Sequence, residues 1–340
     1  MSKNNRFETD VAIIGAGPVG LFAVFECGML GLKTHVVDSL EEIGGQCSAL
    51  YPEKPIYDIP GCPAILAGDL ISNLEAQAAP FQPTYHLGQQ IVSICKESSK
   101  WKLISSGGLE IFAAAVIVAG GAGAFGPNRP PLEGLDSYEG TSVFYMVRRK
   151  SDFKGKRVVI AGGGDSAVDW ALSLSDVADR LYVVHRREKF RAAPESAARL
   201  KMLEESGKLE LVTPYQLKGL EGNGGLLSGV HVQSMDGEGR LLEADILLPF
   251  FGLATDLGPI SDWGLEVDKH RIKVDPSSCA TNLPGIYAIG DIVTYEDKLQ
   301  YILTGFAESA QAAHAIYHRI HPGEALHFEY STTKGIPSAA

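Results

Sequence analysis

The sequence predicts an α/β protein with two domains of the same kind, one inserted into the other. At 340 residues the chain is long enough for two domains. An apolar strand, a glycine-rich turn, a helix pattern and a second strand occur in this order twice, starting near position 11 and again near position 156. A further strand that ends in glycines follows each copy, at 113–123 and at 243–252. The repeated order favours two similar α/β domains.

The first unit contains the stretch VAIIGAGPVG, which places Gly15, Gly17, Pro18 and Gly20 between a strand and a helix. Gly15 makes the tight turn, Gly17 lets the backbone approach a pyrophosphate, and Gly20 lets the helix pack close to the strand. The second strand ends at Asp38, 23 residues after Gly15. A carboxylate there accepts hydrogen bonds from both hydroxyls of a ribose. The first unit is therefore predicted to bind a dinucleotide with a free 2′-hydroxyl.

The second unit repeats this pattern with GGGDSA in the turn. Ala167 stands in place of the third glycine, and the second strand reaches His185, which lies 23 residues after Gly162. Asp38 has the same offset in the first unit. The residues of this turn that are predicted to bind a second nucleotide are Gly163, Gly164, Asp165 and Ser166.

The charges after the second strand have opposite signs in the two units. His185, Arg186 and Arg187 would attract a 2′-phosphate through charge-assisted hydrogen bonds, whereas a carboxylate would repel one. Arg191 would reach the same phosphate if this segment is helical. A solvated cluster of surface charges is the alternative interpretation. We therefore expect NADPH in the second unit and FAD in the first, because a flavin accepts hydride and passes on single electrons.

The predicted architecture is two Rossmann-like dinucleotide-binding domains, with the NADPH domain inserted in the FAD domain. The strands that end in glycines are interpreted as the points where the chain crosses between the domains. This places the FAD domain at 1–123 and 252–340 and the NADPH domain at 124–251, with a C-terminal extension from about 322.

Another glycine and acid follow a strand predicted at 286–289, where Gly290 and Asp291 precede a helix predicted from about Gly305. An acid at the carboxyl end of a strand can accept hydrogen bonds from the ribityl chain of a flavin. The start of the helix would place partial positive charge near the flavin ring. As an isolated pair, Gly-Asp is also typical of a plain turn.

The composition disfavours several other classes of protein. A formal charge of −11 argues against nucleic acid or an anionic membrane as the main partner. The apolar runs at 11–25 and 111–126 have the wrong flanks or too many glycines for a signal peptide or a membrane span. Five cysteines, an odd number without a C-x-x-C motif, suit a reducing cytoplasm and predict no metal site.

Seven stretches of the sequence match one known family. They are GAGPVG, GGQCSALYPEKPIYDIPG, GAGAFGP, GGGDSA, HRREKFR, GDIVTYE and YSTTK. On these stretches the chain resembles, from end to end, the thioredoxin-reductase-like type of ferredoxin–NADP⁺ reductase. The resemblance implies a homodimeric enzyme that transfers electrons between NADP(H) and ferredoxin or flavodoxin through FAD.

The resemblance also implies roles for individual residues. Gln46, with Gly45 before it, matches a contact to the flavin ring, and Tyr51 matches an aromatic side chain that stacks on one flavin face. Ile91 matches an adenine contact. The other matches are Phe125 near the flavin, Tyr330 over its other face and Thr332 with a hydroxyl close by, and the catalytic candidates are Tyr51, Tyr330 and Thr332.

The residues themselves leave the electron acceptor open. A thioredoxin reductase needs a C-x-x-C dithiol before the second nucleotide motif, where this chain has no cysteine, and Cys47 is followed five residues later by Pro52. No dithiol relay is therefore predicted. The basic run at 148–157 either steers an acidic carrier or is a solvated linker. Two alternative functions are reduction of a small molecule, such as a quinone, free flavin or ferric chelate, and non-enzymatic redox sensing.

Overall fold

The computed structural model describes residues 5–324 and residue 335, without the side chains of 124–127 and 253–255. The chain divides into two compact units, Met1–Phe125 with Thr255–Ala340 and Gly126–Ala254. Its helices are α1 (Pro18–Met29), α2 (Gln46–Leu50), α3 (Ala67–Ala78), α4 (Asp165–Leu174), α5 (Pro194–Glu205) and α6 (Ile302–Ile320).

The strands differ widely in length. In chain order they are β1 (Arg6–Ile14), β2 (Thr34–Val37), β3 (Pro55–Ile56), β4 (Ile65–Leu66), β5 (Thr84–His86), β6 (Ile91–Glu97), β7 (Lys100–Ser105), β8 (Glu110–Val118), β9 (Ala124–Pro127), β10 (Arg157–Ala161), β11 (Arg180–Val184), β12 (Glu210–Val212), β13 (Tyr215–Asn223), β14 (Leu226–Ser234), β15 (Gly239–Glu243), β16 (Ile246–Pro249), β17 (Leu253–Asp256), β18 (Val267–Asp268), β19 (Arg271–Lys273), β20 (Ile286–Ala288) and β21 (Val293–Thr294).

The first unit is built on one mixed sheet in the order β5-β2-β1-β8-β7-β6, with β20 beside β8. β1, β2, β5, β8 and β20 are parallel, and β6 and β7 continue the sheet antiparallel. Val11, Ala12 and Ile13 are all fully buried, because apolar clusters cover both faces of the sheet. Since parallel strands end at the same edge, the turns after β1, β2, β8 and β20 lie close together.

The second unit repeats the parallel arrangement on a smaller scale. Its four-stranded sheet has the order β12-β11-β10-β16, and a three-stranded antiparallel sheet has the order β13-β14-β15. Val159 of β10 and Val230 of β14 are fully buried in the same apolar cluster, so the two sheets of this unit share a core. The glycine turn after β10 leads directly into α4.

Two helix boundaries differ from the sequence prediction. α6 begins at Ile302 rather than near Gly305. Gly305 lies one turn inside the helix, where an added Cβ would overlap with Cγ2 of Val19, so this glycine serves close packing of α6 on α1 and not the helix start. The segment 185–193 is not helical, and α5 begins only at Pro194, which suits the first turn of a helix. Among the described residues, no helix is long and apolar enough to cross a membrane.

Candidate functional site

A long groove runs along the carboxyl edge of the sheet in the first unit. It is open to the solvent and encloses an empty volume of about 1180 Å³, which includes solvent space at its mouth. The turns after β1, β2, β8 and β20 form its centre. Its remaining walls come from the segments 45–47 and 89–91 and from Tyr51, Leu257, Pro259, Ile260, Trp263 and Ile302.

The turn after β1 has the shape that a pyrophosphate needs. Gly15 has a φ of +114°, and a Cβ at this position would overlap with the carbonyl oxygen of Ala119. A Cβ at Gly20 would overlap with the carbonyl oxygen of Gly15. A Cβ at Gly17, in contrast, would meet no atom within 4 Å, and Gly17 is the residue before α1. The open space therefore lies where the N-terminus of a helix faces the groove, which suits a phosphate.

Asp38 lies on the wall of the groove directly after β2. Its carboxylate accepts hydrogen bonds from the backbone N–H of Ala16, at 2.6 Å, and from that of Leu40, at 2.8 Å. Burial raises the pKa of this carboxyl group, and the two backbone hydrogen bonds oppose the rise. Each carboxylate oxygen keeps lone pairs for a further donor, such as a ribose hydroxyl. The Asp38 carboxylate, as acceptor for a ribose hydroxyl, and the open space beside Gly17 together fit the adenosine half of FAD.

Ile91, Trp263 and their neighbours line the groove beside Asp38. Ile91 is 4 % exposed and contributes an apolar side chain to the lining of the groove. The short 3₁₀ helix Gly258–Asp262 packs against β6 and lines the same part of the groove. Sequence analysis missed the segment 257–263, because its strand and turn signals are too short to place it against β6. Within it, Leu257, Pro259, Ile260 and Trp263 line the groove.

The other end of the groove contains Gln46, Cys47, Tyr51 and Asp291. The Cys47 Sγ lies 3.8 Å from the hydroxyl of Tyr51. Burial raises the pKa of the Cys47 thiol to about 11, so that the thiol is protonated at neutral pH and is a weak nucleophile. Gly45, with a φ of +57°, brings the backbone of this segment close to Gly17. The structure thus places the predicted Gln46, Tyr51 and Asp291 in one groove with Gly17.

The second glycine turn lies in the other unit. Two backbone N–H groups of the loop that carries the arginines donate hydrogen bonds to it. The backbone N–H of Arg191 donates to the carbonyl oxygen of Gly163 at 2.7 Å. The N–H of Ala193 donates to the carboxylate of Asp165 at 3.0 Å. Gly164 precedes α4, and a Cβ at this residue would meet no atom within 4 Å. This turn therefore also leaves the N-terminus of a helix open to an anion.

The ring of His185 packs against neighbouring residues, whereas the arginines that follow it are exposed. Its ring packs against Gly163, where a Cβ would overlap with the imidazole, and its centroid is 5.3 Å from that of Phe190. Its Nε2 is buried without a hydrogen-bond partner. Burial lowers the pKa of His185, and the positive charges of Arg186 and Arg187 lower it further. Because its pKa is lowered and its Nε2 is buried, His185 contributes less positive charge to this loop than the exposed arginines do.

Arg186, Arg187 and Arg191 are exposed, as are Asp165 and Ser166 in the turn. All three arginines belong to the loop that is hydrogen-bonded to the glycine turn, within the second unit. Two predicted site residues, Tyr330 and Thr332, lie outside the described residues. Phe125 lies in β9, in a part of the chain whose side chains are likewise not described.

Two glycine turns, each between a parallel strand and a helix, define a protein with two dinucleotide-binding domains. Residues 9–316 match the family described as pyridine nucleotide-disulphide oxidoreductase. The chain belongs to this family. The fold class predicted from the sequence is thereby confirmed.

Proteins named ferredoxin–NADP reductase are similar to the chain over nearly its whole length. The one from Paramagnetospirillum magneticum is 62 % identical over 333 residues, which cover 98 % of this chain and 99 % of that protein. The one from Rhodospirillum rubrum is 60 % identical over 341 residues, which cover 99 % of both chains. The family resemblance inferred from the seven stretches is confirmed by these matches.

Solved structures of thioredoxin reductases share the fold. The enzyme from Lactococcus lactis has a TM-score of 0.79 at 24 % identity, covering 92 % of this chain and 99 % of that one. The enzyme from T. acidophilum gives the same TM-score, identity and coverage. At this level of identity the likeness concerns the fold alone.

Proposed function

We propose that this chain is an FAD-containing reductase that transfers electrons between NADP(H) and ferredoxin. The observation that carries the proposal is the groove in which Gly17, Asp38 and Asp291 lie together. It occurs in a chain that is 60–62 % identical over nearly its full length to proteins named ferredoxin–NADP reductase. A flavin supplies the chemistry that this function needs, because it accepts a hydride and passes on single electrons.

In the proposed mechanism, the residues of the groove hold and orient the cofactor. The turn at Gly17 binds the pyrophosphate through backbone N–H groups, and Asp38 accepts hydrogen bonds from the adenosine ribose. Tyr51 would stack on one face of the flavin ring and exclude water there, since its own half-buried ring lines the groove. Asp291 accepts hydrogen bonds from the ribityl chain. Tyr330 and Thr332 keep the roles near the flavin that the family resemblance implies.

The second unit binds NADPH in this proposal. The open helix N-terminus after Gly164 receives the pyrophosphate. Arg186 and Arg187 bind the 2′-phosphate, since guanidinium groups form paired hydrogen bonds with phosphates. The segment of Arg191 is not helical, so its place in this site rests on its backbone hydrogen bond to Gly163 instead. The ring of His185 packs against Gly163, and a contact of His185 with the phosphate stays a prediction.

No thiol takes part in electron transfer. All five cysteines are free, and Cys47 and Cys279 are buried. Burial raises the pKa of the Cys279 thiol to about 12 and that of the Cys47 thiol to about 11, so neither forms a thiolate at neutral pH. Pro52 occupies the position of a second redox cysteine. The acceptor therefore takes electrons from the flavin without a dithiol between them.

Part of the basic run at 148–157 has a structural role. Arg157 forms a hydrogen-bonded ion pair with Asp245 at 2.7 Å and a second with Glu243 at 2.9 Å, which joins β10 to the segment before β16. Arg148, Lys154 and Lys156 are exposed. These three are the cations of this run that we propose for steering an acidic carrier, ferredoxin or flavodoxin. A homodimer, which the family resemblance implies, and a cytoplasmic location, which the cysteine usage favours, complete the proposal.

The test is NADPH oxidation by the purified protein, with cytochrome c as the final acceptor, with and without ferredoxin. We expect rapid reduction of cytochrome c that depends on ferredoxin. Equal rates without ferredoxin would favour the reductase of small molecules, and slow turnover with every acceptor would favour the redox sensor. Chromatography of the flavin released by acid should give FAD, since Asp38 has no ribose to bind in FMN.

A further inference from the structure

A buried ion pair lies directly behind the turn that carries Asp291. Lys298 follows β21, and Glu308 lies in α6, and their side chains are each only 2 % exposed. The ammonium group of Lys298 contacts the Oε1 of Glu308. This pair faces the protein interior rather than the groove, because neither residue lines the groove.

The carboxylate of Glu308 connects α6 to three residues of the segment 290–298. Its Oε2 accepts a hydrogen bond from the backbone N–H of Gly290 at 2.7 Å. Its Oε1 accepts a hydrogen bond from the hydroxyl of Tyr295, also at 2.7 Å. The ammonium group of Lys298 is 5.5 Å from the centre of the Tyr295 ring, in the range of a cation–π contact. Each charge in the cluster is thus compensated by neighbouring groups.

Gly290 is the point at which this cluster meets the groove. It has a φ of +80°, and a Cβ would lie 3.4 Å from Cγ1 of Val19 in the first turn of α1. Gly290 and Asp291 both line the groove. The hydrogen bond from Gly290 to Glu308 therefore fixes the backbone from which the Asp291 side chain extends into the groove. The positive charge of Lys298 also opposes the rise that burial gives to the pKa of Asp291.

A buried ion pair is a costly way to stabilise a fold. Removing both ions from water offsets most of their attraction, and apolar side chains of similar size often stabilise a core as well or better. Stability alone therefore gives a weak account of Lys298 and Glu308. A fixed geometry of the Gly290–Asp291 turn explains this ion pair better, because a fully hydrogen-bonded carboxylate allows little movement of its partners.

We propose that Lys298 and Glu308 are positioning residues for the FAD site, which hold the Gly290–Asp291 turn where Asp291 contacts the cofactor. The inference rests on the proposed function for the identity of the cofactor. It adds two residues that do not touch the groove, and it makes the geometry of Asp291 depend on a charge pair behind it.

The test compares the single variant Lys298→Met with the double variant Lys298→Met/Glu308→Met. The single variant leaves a buried carboxylate without its cation, so we expect lower thermal stability. The double variant removes both charges and should recover most of that stability. It still lacks an acceptor for the N–H of Gly290, so FAD should dissociate from the holoenzyme about tenfold faster or more, measured by flavin fluorescence on dilution. The midpoint potential and visible absorption spectrum of the bound flavin should also shift.

Lys100→Met is the matched control, because Lys100 forms an exposed ion pair with Glu8 at 2.6 Å in the same unit. It should leave FAD release and the spectrum unchanged. Tyr295→Phe keeps the aromatic ring and removes one donor to Glu308, and it should speed FAD release several-fold even if the other variants fail to fold. Wild-type FAD release and spectrum in Tyr295→Phe, or in a stable double variant, would overturn the proposal. A wild-type protein that holds FAD but does not reduce ferredoxin would instead contradict the proposed function alone.

Discussion

Replacing Gly17 and Gly20 by alanine, one at a time, separates cofactor binding from folding. A Cβ at Gly20 overlaps with the carbonyl oxygen of Gly15 and lies 3.6 Å from the Cβ of Ala119. Overpacking of this kind costs about 1–3 kcal/mol, which in a unit of the size of the first one lowers Tm by roughly 2–12 °C. The Gly17 backbone has a φ of −71°, which alanine adopts without strain, and its Cβ meets no protein atom. Gly17→Ala should therefore change the Tm of the apoprotein by only about 2 °C or less.

For FAD binding we expect the opposite order of the two variants. Gly17→Ala should weaken FAD binding although it leaves the Tm of the apoprotein nearly unchanged. The methyl group of Gly17→Ala points into the open space where the pyrophosphate would approach the N-terminus of α1. Loss of one charge-assisted hydrogen bond costs about 1.5–3 kcal/mol, so the Kd for FAD should rise about ten- to a hundredfold. Fluorescence titration of the apoprotein measures this Kd, and differential scanning fluorimetry measures Tm. A Gly17→Ala variant with the wild-type Kd would refute the placement of the pyrophosphate at this turn.

Three further predictions concern the second nucleotide, the thiols and the C-terminus. Replacing Arg186 and Arg187 by Ala should raise the KM for NADPH about tenfold and leave the KM for NADH nearly unchanged. Tenfold is the low end for loss of a charged hydrogen bond, because both side chains are exposed. An equal rise in KM for both nucleotides would contradict a 2′-phosphate contact. Replacing all five cysteines by Ala should leave ferredoxin reduction essentially intact in a folded, FAD-loaded variant, and loss of activity there would reveal a thiol relay. Deleting residues from Tyr330 onward should alter hydride transfer or carrier reduction in rapid mixing while FAD stays bound, and unchanged rates for both steps would place the tail elsewhere.

Features that depend on neighbouring residues in the chain were predictable from the sequence. The turn from Gly15 to Gly20 is specified within six positions. The structure shows a steric requirement for glycine at Gly15 and at Gly20, and open space at Gly17. The α/β fold class was correct for the same reason, since strands and helices alternate with clear apolar patterns. The position of Asp38 after β2 also follows from the local pattern.

Features that depend on distant residues were not predictable. The role of Arg157 is set by Asp245, which lies 88 residues later in the chain. The offset of His185 from its glycine turn matched that of Asp38, yet the direction of its ring depends on packing against Phe190 and Gly163. Glu308 looks like an ordinary helix residue, and only the fold brings it to the N–H of Gly290.

The two hydrogen bonds that join the arginine loop to the second glycine turn are donated by the main chain of Arg191 and Ala193. Any residue except proline can supply such a donor, so the anchoring of this loop does not depend on which side chains it carries. Selection can therefore exchange the charges of the loop, and with them the preference between phosphorylated and unphosphorylated nucleotides, without rebuilding the turn beneath it. A change in cofactor preference at this loop is accordingly a short evolutionary path, provided that the carboxylate of Asp165 is kept.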